Sequence, residues 1–382
     1  MQNKGRVLTV LLAGAVLLTL VAQASLIRVA PAESIQAAVD AAQPGDAVQV
    51  QSGIYHESLN VSKRITLEGM GHPLLDAGAS GNAITLRADN TTVSGFDIRT
   101  TRRIGIQVIS SYNLITNNSI SGCLDGIRLD KSNGNSVALN DVNNNTNGIT
   151  LLGAAHNAII NNSIRDNEIG EESDCGIFLA YSEGNLIGEN NLSGNGDSSI
   201  SLRSSSNNRL IGNNVMRNDW YGISLAESSN LNLLETNNAS SNKDSGIYLD
   251  SSRENIIRDN TALDNAKGIY LAYNSNDNLI ESNNASFNQK GLNLAHHSSN
   301  NTLTENIVRR NDYGIYLTFS AGWNFIYNNS LIDNIHNAHD MGLNNRWDNG
   351  SVGNRYSDLG EVFYIPGGSG VDRNPLAAEP SI

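Results

Sequence analysis

Apolar and polar positions alternate in short runs along most of the chain, and the same run returns at nearly constant intervals. A Gly-Ile-x-Leu element, or a close variant of it, occurs ten times between Ile104 and Leu317. Its first residue lies at positions 105, 126, 148, 176, 199, 222, 246, 268, 291 and 314, with Ser199 replacing glycine once. A nearly fixed period of about 23 residues predicts an array of structural repeats.

A second marker keeps the same period. An Asn-x4-Asn pattern accompanies the repeats, and its last residue is Asn145, Asn167, Asn195, Asn218, Asn242, Asn265, Asn288, Asn311 or Asn334. Each repeat holds two or three short alternating segments, which are typical of strands, and no long run at helical spacing. Three short strands and three bends fit one repeat, so the pattern predicts an all-β solenoid, a single-stranded parallel β-helix.

Equivalent residues of successive turns in such a solenoid lie about 4.8 Å apart. We therefore expect Ile223, Ile247, Ile269 and Ile315 to stack inward, and the repeated asparagines to form a hydrogen-bonded ladder at the bends.

The two cysteines fall at different places in the repeat. Cys123 takes the place of a ladder asparagine, whereas Cys175 directly precedes the glycine two turns later. Two turns separate them by about 9.6 Å along the axis, and a disulfide needs Cα atoms within about 7 Å. We predict no disulfide, a buried Cys123 and a more accessible Cys175.

The chain ends differ from the repeats. Residues 1–24 have a basic start, an apolar run and a small-residue site before Ser25, which indicates a secretory signal peptide, with an uncleaved anchor as the alternative. Residues 25–45 are predicted to form an N-terminal cap with a short amphipathic helix that begins after Ser34. The β-helix is expected over 46–340, followed by an irregular C-terminal cap over 341–382. We expect a monomer that is secreted, periplasmic or cell-surface, without a transmembrane anchor in the mature chain.

Composition narrows the classes of partner. Asparagine makes up 56 of the 382 residues and aromatic residues 5%, which suits the thin core of a solenoid. The formal net charge of −13 at pH 7 argues against nucleic acid or an anionic membrane as the partner, since either would require a basic stripe.

Six segments toward the two ends of the chain differ from the central repeats. They are Ser34-Ile35-Gln36 through Pro44-Gly45-Asp46, Gly53-Ile54-Tyr55-His56-Glu57, Gly95-Phe96-Asp97-Ile98, Asn345-Arg346-Trp347-Asp348-Asn349-Gly350, Gly353-Asn354-Arg355-Tyr356-Ser357-Asp358 and Asp372-Arg373-Asn374-Pro375-Leu376. These segments resemble those of one known family, the NosD-like right-handed parallel β-helix proteins. The resemblance implies a right-handed β-helix, secreted or periplasmic, related to carbohydrate-binding and sugar-hydrolysing domains. One founding member assists assembly of the copper centre of nitrous oxide reductase.

A set of aromatic and basic residues is predicted on the outward face of the Gly-Ile-x-Leu strands. It consists of Tyr221, Tyr248, Tyr270, Tyr313 and Tyr316 together with Lys267 and Lys290. Aromatic rings stack on sugar faces, and lysine contacts sugar hydroxyl or carboxylate groups. The set predicts a polysaccharide-binding groove.

Two segments are candidate metal sites. The one long turn carries an acidic cluster with Asp197 one turn on, and Glu171, Glu172 and Asp174 are its candidate Ca²⁺ ligands. The only dense group for copper is His336, His339, Asp340 and Met341, which we expect chiefly to cap the last turn. No cofactor is required by these patterns, and copper is less favoured than Ca²⁺.

Carboxylates for catalysis are few on the outward face. Asp125, Asp130 and Asp250 are the acidic residues that flank its apolar positions, and Asp125 and Asp130 are about 16 Å apart along an extended strand. Glycoside hydrolysis uses carboxylates about 5–10 Å apart. The favoured function is therefore a non-catalytic polysaccharide-binding or cell-surface scaffold protein. The alternatives are a carbohydrate-active lyase, epimerase or hydrolase, and a copper-handling maturation factor.

Overall fold

The computed structural model describes residues 24–168, 174–318, 320–357 and 362–377. The predicted signal peptide, apart from its last residue, lies outside these ranges, as do Glu171 and Glu172 of the candidate Ca²⁺ site. Among the described residues, no helix is long and apolar enough to cross a membrane.

The chain begins with strand β1 (Leu26–Val29) and helix α1 (Ile35–Ala41), and every later described element is a strand. Those before the long turn are β2 (Ala47–Gln51), β3 (Ile54–Tyr55), β4 (Leu59–Val61), β5 (Thr66–Met70), β6 (Leu74–Asp76), β7 (Ile84–Leu86), β8 (Thr92–Ser94), β9 (Asp97–Arg99), β10 (Ile106–Val108), β11 (Leu114–Thr116), β12 (Ser119–Ser121), β13 (Asp125–Asp130), β14 (Ser136–Ala138), β15 (Asp141–Asn143), β16 (Asn147–Leu152), β17 (Ala158–Ile160) and β18 (Ser163–Arg165).

The strands after the long turn continue the same pattern. They are β19 (Cys175–Ala180), β20 (Leu186–Gly188), β21 (Asn191–Ser193), β22 (Ser198–Arg203), β23 (Arg209–Ile211), β24 (Asn214–Met216), β25 (Tyr221–Ala226), β26 (Leu233–Glu235), β27 (Ser245–Asp250), β28 (Ile256–Arg258), β29 (Lys267–Ala272), β30 (Leu279–Glu281), β31 (Lys290–Leu294), β32 (Thr302–Thr304), β33 (Ile307–Arg309), β34 (Tyr313–Leu317), β35 (Phe325–Tyr327), β36 (Ser330–Ile332), β37 (His336–Asp340), β38 (Arg355–Tyr356), β39 (Phe363–Tyr364), β40 (Val371–Asp372) and β41 (Leu376–Ala377).

These strands form three parallel faces around one core. The first face is a 14-stranded sheet that runs from β1 to β35, and the second is a 13-stranded sheet that runs from β4 to β37. The third face has an eight-stranded sheet from β3 to β24 and a four-stranded sheet of β33, β36, β38 and β41. Within these sheets each strand pairs in parallel with the equivalent strand of the next turn, and β39 and β40 form a separate antiparallel pair. The predicted right-handed parallel β-helix, of about 14 turns, is confirmed.

The predicted short helix is present at the N-terminal end. The Ser34 hydroxyl accepts a hydrogen bond from the Ala37 backbone N–H, which caps α1 at its first turn. Ile35 and Val39 are buried, and α1 packs against β1, β2 and β4. The helix therefore covers apolar surface of the first turns.

The core is a set of columns of aliphatic side chains. Ile223 lies opposite Ile247, which lies opposite Ile269, and Leu292 links Ile269 to Ile315. All five side chains are buried. The inward stacking predicted for the four isoleucines is confirmed.

Asparagine ladders close the bends between the faces. Asn145 donates from Nδ2 to Asn167 Oδ1 at 3.1 Å, and the Cys123 backbone N–H donates to Asn145 Oδ1 at 2.9 Å, as the ladder prediction required. The first residues of the Asn-x4-Asn pattern form a second ladder. A third ladder, missed by the sequence analysis, comprises Asn113, Asn135, Asn157, Asn185, Asn208, Asn232, Asn255, Asn278, Asn301, Asn324 and Asn345.

The cysteines carry thiols and form no disulfide, as predicted. Cys123 is buried, but Cys175 is only 1% exposed, so the expectation of a more accessible Cys175 is wrong. The reason is that Cys175 lies in register with Ser198 on the crowded second face and is covered by neighbouring turns. Burial raises the pKa of Cys123 to about 11 and that of Cys175 to about 12.

We therefore expect thiol reagents to modify the folded protein very slowly at pH 8, because the reactive thiolate is scarce and shielded. Two thiols per chain should react once the unreduced protein is denatured. Mass spectrometry after alkylation measures both values. Finding no reactive thiol in the denatured monomer would contradict the register that separates Cys123 from Cys175.

Candidate binding face on the 13-stranded sheet

Parallel strands in register arrange outward side chains into columns. The column directly before the repeat glycine contains Tyr221, Lys267, Lys290, Tyr313 and His336. The column two residues after that glycine contains Tyr248, Tyr270, Asn293, Tyr316 and His339. The structure thus brings all seven predicted substrate-binding residues onto the outer side of one sheet, which we call the tyrosine face.

The first cluster on the tyrosine face is a stack of three tyrosines. The ring centroids of Tyr221 and Tyr248 are 4.6 Å apart, and those of Tyr248 and Tyr270 are 5.3 Å apart. Tyr248 is only 8% exposed, so the expectation that its ring lies open to a sugar is wrong. Successive turns lie about 4.8 Å apart, the distance at which aromatic rings cover each other.

Burial also determines the protonation of these tyrosines. It raises the pKa of Tyr221 and of Tyr270 to about 12, and that of Tyr248 further, where the Asp250 carboxylate contributes. The Tyr248 hydroxyl donates to Asp250 Oδ2 at 3.3 Å. All three hydroxyl groups are therefore protonated at neutral pH and able to donate hydrogen bonds.

The second cluster surrounds Lys290. Its ammonium nitrogen lies 4.0 Å from the ring centroid of Tyr316, and Tyr316 stacks on His339 with centroids 5.1 Å apart. Tyr313 stacks on His336 at 4.8 Å. The two histidines of the candidate copper group therefore extend the aromatic columns of the tyrosine face.

The two lysines of this face have different partners. Lys267 Nζ donates to Asp244 Oδ1 at 2.6 Å, whereas no carboxylate of a described residue lies within 4 Å of the Lys290 ammonium. Burial and the neighbouring charge of Lys267 lower the pKa of Lys290. The face therefore presents one ammonium group without a carboxylate partner in the described part of the chain.

The sequence analysis missed Asp244 and Arg203 at this face, and it considered Asp197 only with the acidic cluster of the long turn. Asp197 and Asp244 stand two residues before the repeat position of glycine, and only the immediately flanking positions were considered. Burial raises the pKa of Asp197, while the Arg203 charge acts against that shift.

Asp125 and Asp130 are joined by an arginine. Arg128 donates from Nε to Asp130 at 2.8 Å and from Nη1 to Asp125 at 3.4 Å. The side chains thus turn toward each other, and the separation of about 16 Å expected from their spacing along the strand does not describe their carboxylates. Asp125 also accepts hydrogen bonds from Asn147 and Thr150, which satisfies this buried group.

Only some of the residues predicted to bind a metal ion lie within the described ranges. Asp174 is buried, and the described residues contain no group of three or more His, Cys, Asp or Glu placed to hold a metal ion. Asp340 accepts hydrogen bonds from the Trp347 indole at 2.8 Å and from Asn345 at 2.9 Å. These bonds tie Asp340 to the C-terminal cap. Binding of Ca²⁺ or copper stays a prediction.

Several solved structures have a similar fold. The chain is 18% identical to the Dettilon tailspike protein, with a TM-score of 0.58, and the match covers 71% of this chain and 62% of the tailspike. For the A-module of mannuronan C-5 epimerase AlgE4 from Azotobacter vinelandii, the identity is 15%, the TM-score 0.57 and the coverage 77% and 93%. A PL6 family polysaccharide lyase from Pseudopedobacter saltans is 17% identical, with a TM-score of 0.51, and the match covers 74% of this chain and 84% of the lyase. Likeness at these identities shows the fold alone.

Comparison with protein-family models gives more specific matches than the solved structures do. A search of curated proteins found no match. The family model described as periplasmic copper-binding protein (NosD) matches residues 199–361, and the model of the right-handed β-helix region matches residues 53–164 and 105–235. With the solenoid described above, these matches identify the chain as a right-handed parallel β-helix protein that is similar to NosD over residues 199–361.

Proposed function

We propose that the protein is an exported, non-catalytic polysaccharide-binding protein that holds an acidic sugar chain along the tyrosine face. The observation that carries this proposal is the Lys290 ammonium, which lies against Tyr316 and has no carboxylate within 4 Å among the described residues. A half-buried cation in an aromatic setting favours an anionic ligand, such as a uronate carboxylate. Export agrees with the periplasmic description of the matching family.

The shape of the tyrosine face suits an extended ligand. Its columns run along the solenoid axis, so similar groups recur at each turn, about 4.8 Å apart. Tyr248, Tyr270 and Asn293 lie in one column, and Lys267 and Lys290 lie in the other column of the same face. A linear polymer with repeating hydroxyl and carboxylate groups can contact several turns at once.

The protonation of the tyrosines favours binding over chemistry. A tyrosine that removes a proton from a sugar works best with a pKa near the operating pH. The pKa values of Tyr221 and Tyr270 are raised to about 12, which is farther from neutral pH than the pKa of an ordinary tyrosine. The mannuronan epimerase and the polysaccharide lyase with this fold are named for polysaccharide substrates, which supports the ligand class here but carries no activity over.

A glycan array, probed with and without Ca²⁺, tests the proposal and identifies the ligand. We expect acidic polysaccharides to be retained and neutral ones to bind more weakly. In calorimetric titrations, Lys290→Gln should weaken binding of an oligouronate by about tenfold, the value of one charge-assisted hydrogen bond. The control is Lys131→Gln, which alters an exposed lysine elsewhere and should leave the dissociation constant unchanged. Equal binding by both variants would reject the role of Lys290.

The tyrosines provide a separate test. Tyr248→Ala, Tyr270→Ala and Tyr316→Ala should each weaken oligouronate binding. Tyr270→Ala and Tyr316→Ala remove a ring and a hydroxyl donor from the face, and Tyr248→Ala removes the buried ring that packs between Tyr221 and Tyr270. Tyr112→Ala, at a tyrosine that is 64% exposed outside this face, is the control. Dissociation constants that are unchanged across all three variants would discard the binding face.

A further inference from the structure

The third face of the solenoid is interrupted between β24 and β33. Val215 in β24 and Val308 in β33 are its inward residues at the two edges, and the intervening turns place alanine there: Ala239, Ala262 and Ala285. In these turns the three-residue strands shrink to single bridges at Asn238, Thr261 and Asn284. Three consecutive turns thus lack both a large inward side chain and a regular strand.

The backbone moves toward the core where alanine replaces a larger residue, because protein interiors stay close-packed. A Cβ placed on Gly246 would meet the Ala239 carbonyl oxygen at 2.5 Å, and one on Gly291 would meet the Val308 side chain at 2.5 Å and the Ala285 carbonyl oxygen at 2.8 Å. At Gly126, in a turn with a larger inward residue, the Cβ would meet the Val142 side chain at 2.5 Å, and the Val142 carbonyl oxygen is not among its three nearest atoms. The interrupted turns therefore form a depression in the outer surface.

An open cleft of about 620 Å³ lies at the β33 end of this depression, and its lining includes Phe287, Arg309, Arg310, Asp333 and Arg355. A second cleft of about 670 Å³ shares Phe287 and Arg310 with it. Among the described residues that line the first cleft, Arg309 and Arg310 outnumber Asp333, in a chain whose formal net charge is −13, and Arg355 has an interaction partner of its own. This local excess of positive charge runs against the overall composition.

The arginines are placed to receive an anion. Within the described chain, no carboxylate lies within 4 Å of the guanidinium groups of Arg309 and Arg310. The Arg310 guanidinium carbon lies 5.6 Å from the ring centroid of Phe287, whose side chain is 48% exposed. Guanidinium groups bind carboxylate and sulfate through paired hydrogen bonds, and an exposed aromatic ring packs against the C–H face of a sugar.

We propose that the cleft formed by Phe287, Arg309 and Arg310, which we call the arginine cleft, binds an anionic sugar residue. Its carboxylate or sulfate would contact the guanidinium groups and its ring would contact Phe287. The cleft lies on the third face, whereas the tyrosine face belongs to the 13-stranded sheet. One molecule therefore has two separate sites for acidic saccharide and can join two segments of polymer.

Calorimetric titration with galacturonate and sulfated oligosaccharides, a neutral oligosaccharide and sodium sulfate tests this site. The wild-type protein should bind two acidic oligosaccharides per chain. The double variant Arg309→Gln/Arg310→Gln should lose one site, or weaken it at least tenfold. Comparing the galacturonate and sulfated probes identifies the preferred anionic group.

Two matched variants sharpen the result. Arg217 and Arg310 each come directly before a ladder asparagine, and both arginines have a positive φ, 58° and 54°. Arg217 lies outside both clefts, so the Arg217→Gln variant should bind the saccharides like the wild type. Phe287→Asn, which keeps a residue suited to the positive φ of 60°, should weaken saccharide binding and leave sulfate binding unchanged.

The outcomes separate this site from the tyrosine face. Unchanged stoichiometry and affinity in the double arginine variant would overturn the arginine cleft, as would binding of sodium sulfate with no preference for acidic saccharide. Lys290→Gln should weaken binding at the tyrosine face by about tenfold and leave the arginine cleft active. If Lys290→Gln has no effect while the double variant loses a site, the proposed function of the tyrosine face fails and the cleft stands.

Discussion

Ile247→Asp is expected to destabilise the protein by about 3–5 kcal/mol, the usual cost of leaving a buried charge without a partner. The Ile247 side chain is fully buried between Ile223 and Ile269 in the central column of the core. A carboxylate there has only aliphatic neighbours above and below it. Chemical denaturation followed by circular dichroism measures the loss as a lower midpoint.

The control for this variant lies in the same turn. Ile256 in β28 is 38% exposed and lies on the outer side of its sheet, so Ile256→Asp keeps its charge in contact with water. We expect its midpoint to stay close to that of the wild type. Similar losses for both variants would mean that Ile247 does not lie in a closed core.

Asn190→Leu is expected to cost about 3 kcal/mol or more, because it leaves several buried polar groups without partners. The Asn190 amide nitrogen donates to Ile159 O at 2.8 Å and to Asn213 Oδ1 at 3.0 Å. Its oxygen accepts from the backbone N–H and the side-chain amide of Asn162, each at 3.0 Å. Leucine has a similar size and replaces none of these bonds.

The next residue provides a matched control. Asn191 is exposed and its side chain accepts one hydrogen bond, from Asn214 at 2.9 Å. Asn191→Leu should change the unfolding midpoint little, since water replaces that bond. If Asn190→Leu were as stable as Asn191→Leu, the ladder would contribute little to stability.

The fold could be predicted because the tertiary contacts of a solenoid repeat with the same period as its sequence. The neighbours of Ile247 are the equivalent residues of the previous and next turns, so the period of the sequence is also the register of the sheets. The same reasoning identified two asparagine ladders and placed Cys123 in one of them. It missed the third ladder, although Asn185, Asn208 and Asn232 recur with the same period.

The sequence also assigned the seven predicted residues to one outer face, since strand alternation fixes which side a residue occupies. It could not determine how far each side chain is exposed. Tyr248 and Cys175 lie on the outer side and are nevertheless buried, because stacked neighbours from adjacent turns cover them. Exposure depends on side-chain torsions and on the size of the residues one turn away.

The contacts of the charged side chains also depend on tertiary structure. Long side chains reach across columns, as Arg128 does to Asp125 and Asp130, and spacing along a strand does not reveal such contacts. The arginine cleft depends further on how the backbone moves inward over alanine-containing turns. By itself the sequence determined the solenoid, its register and the side of each residue. Only the packing of side chains between turns decided which outward residues are accessible, paired or available to bind a ligand.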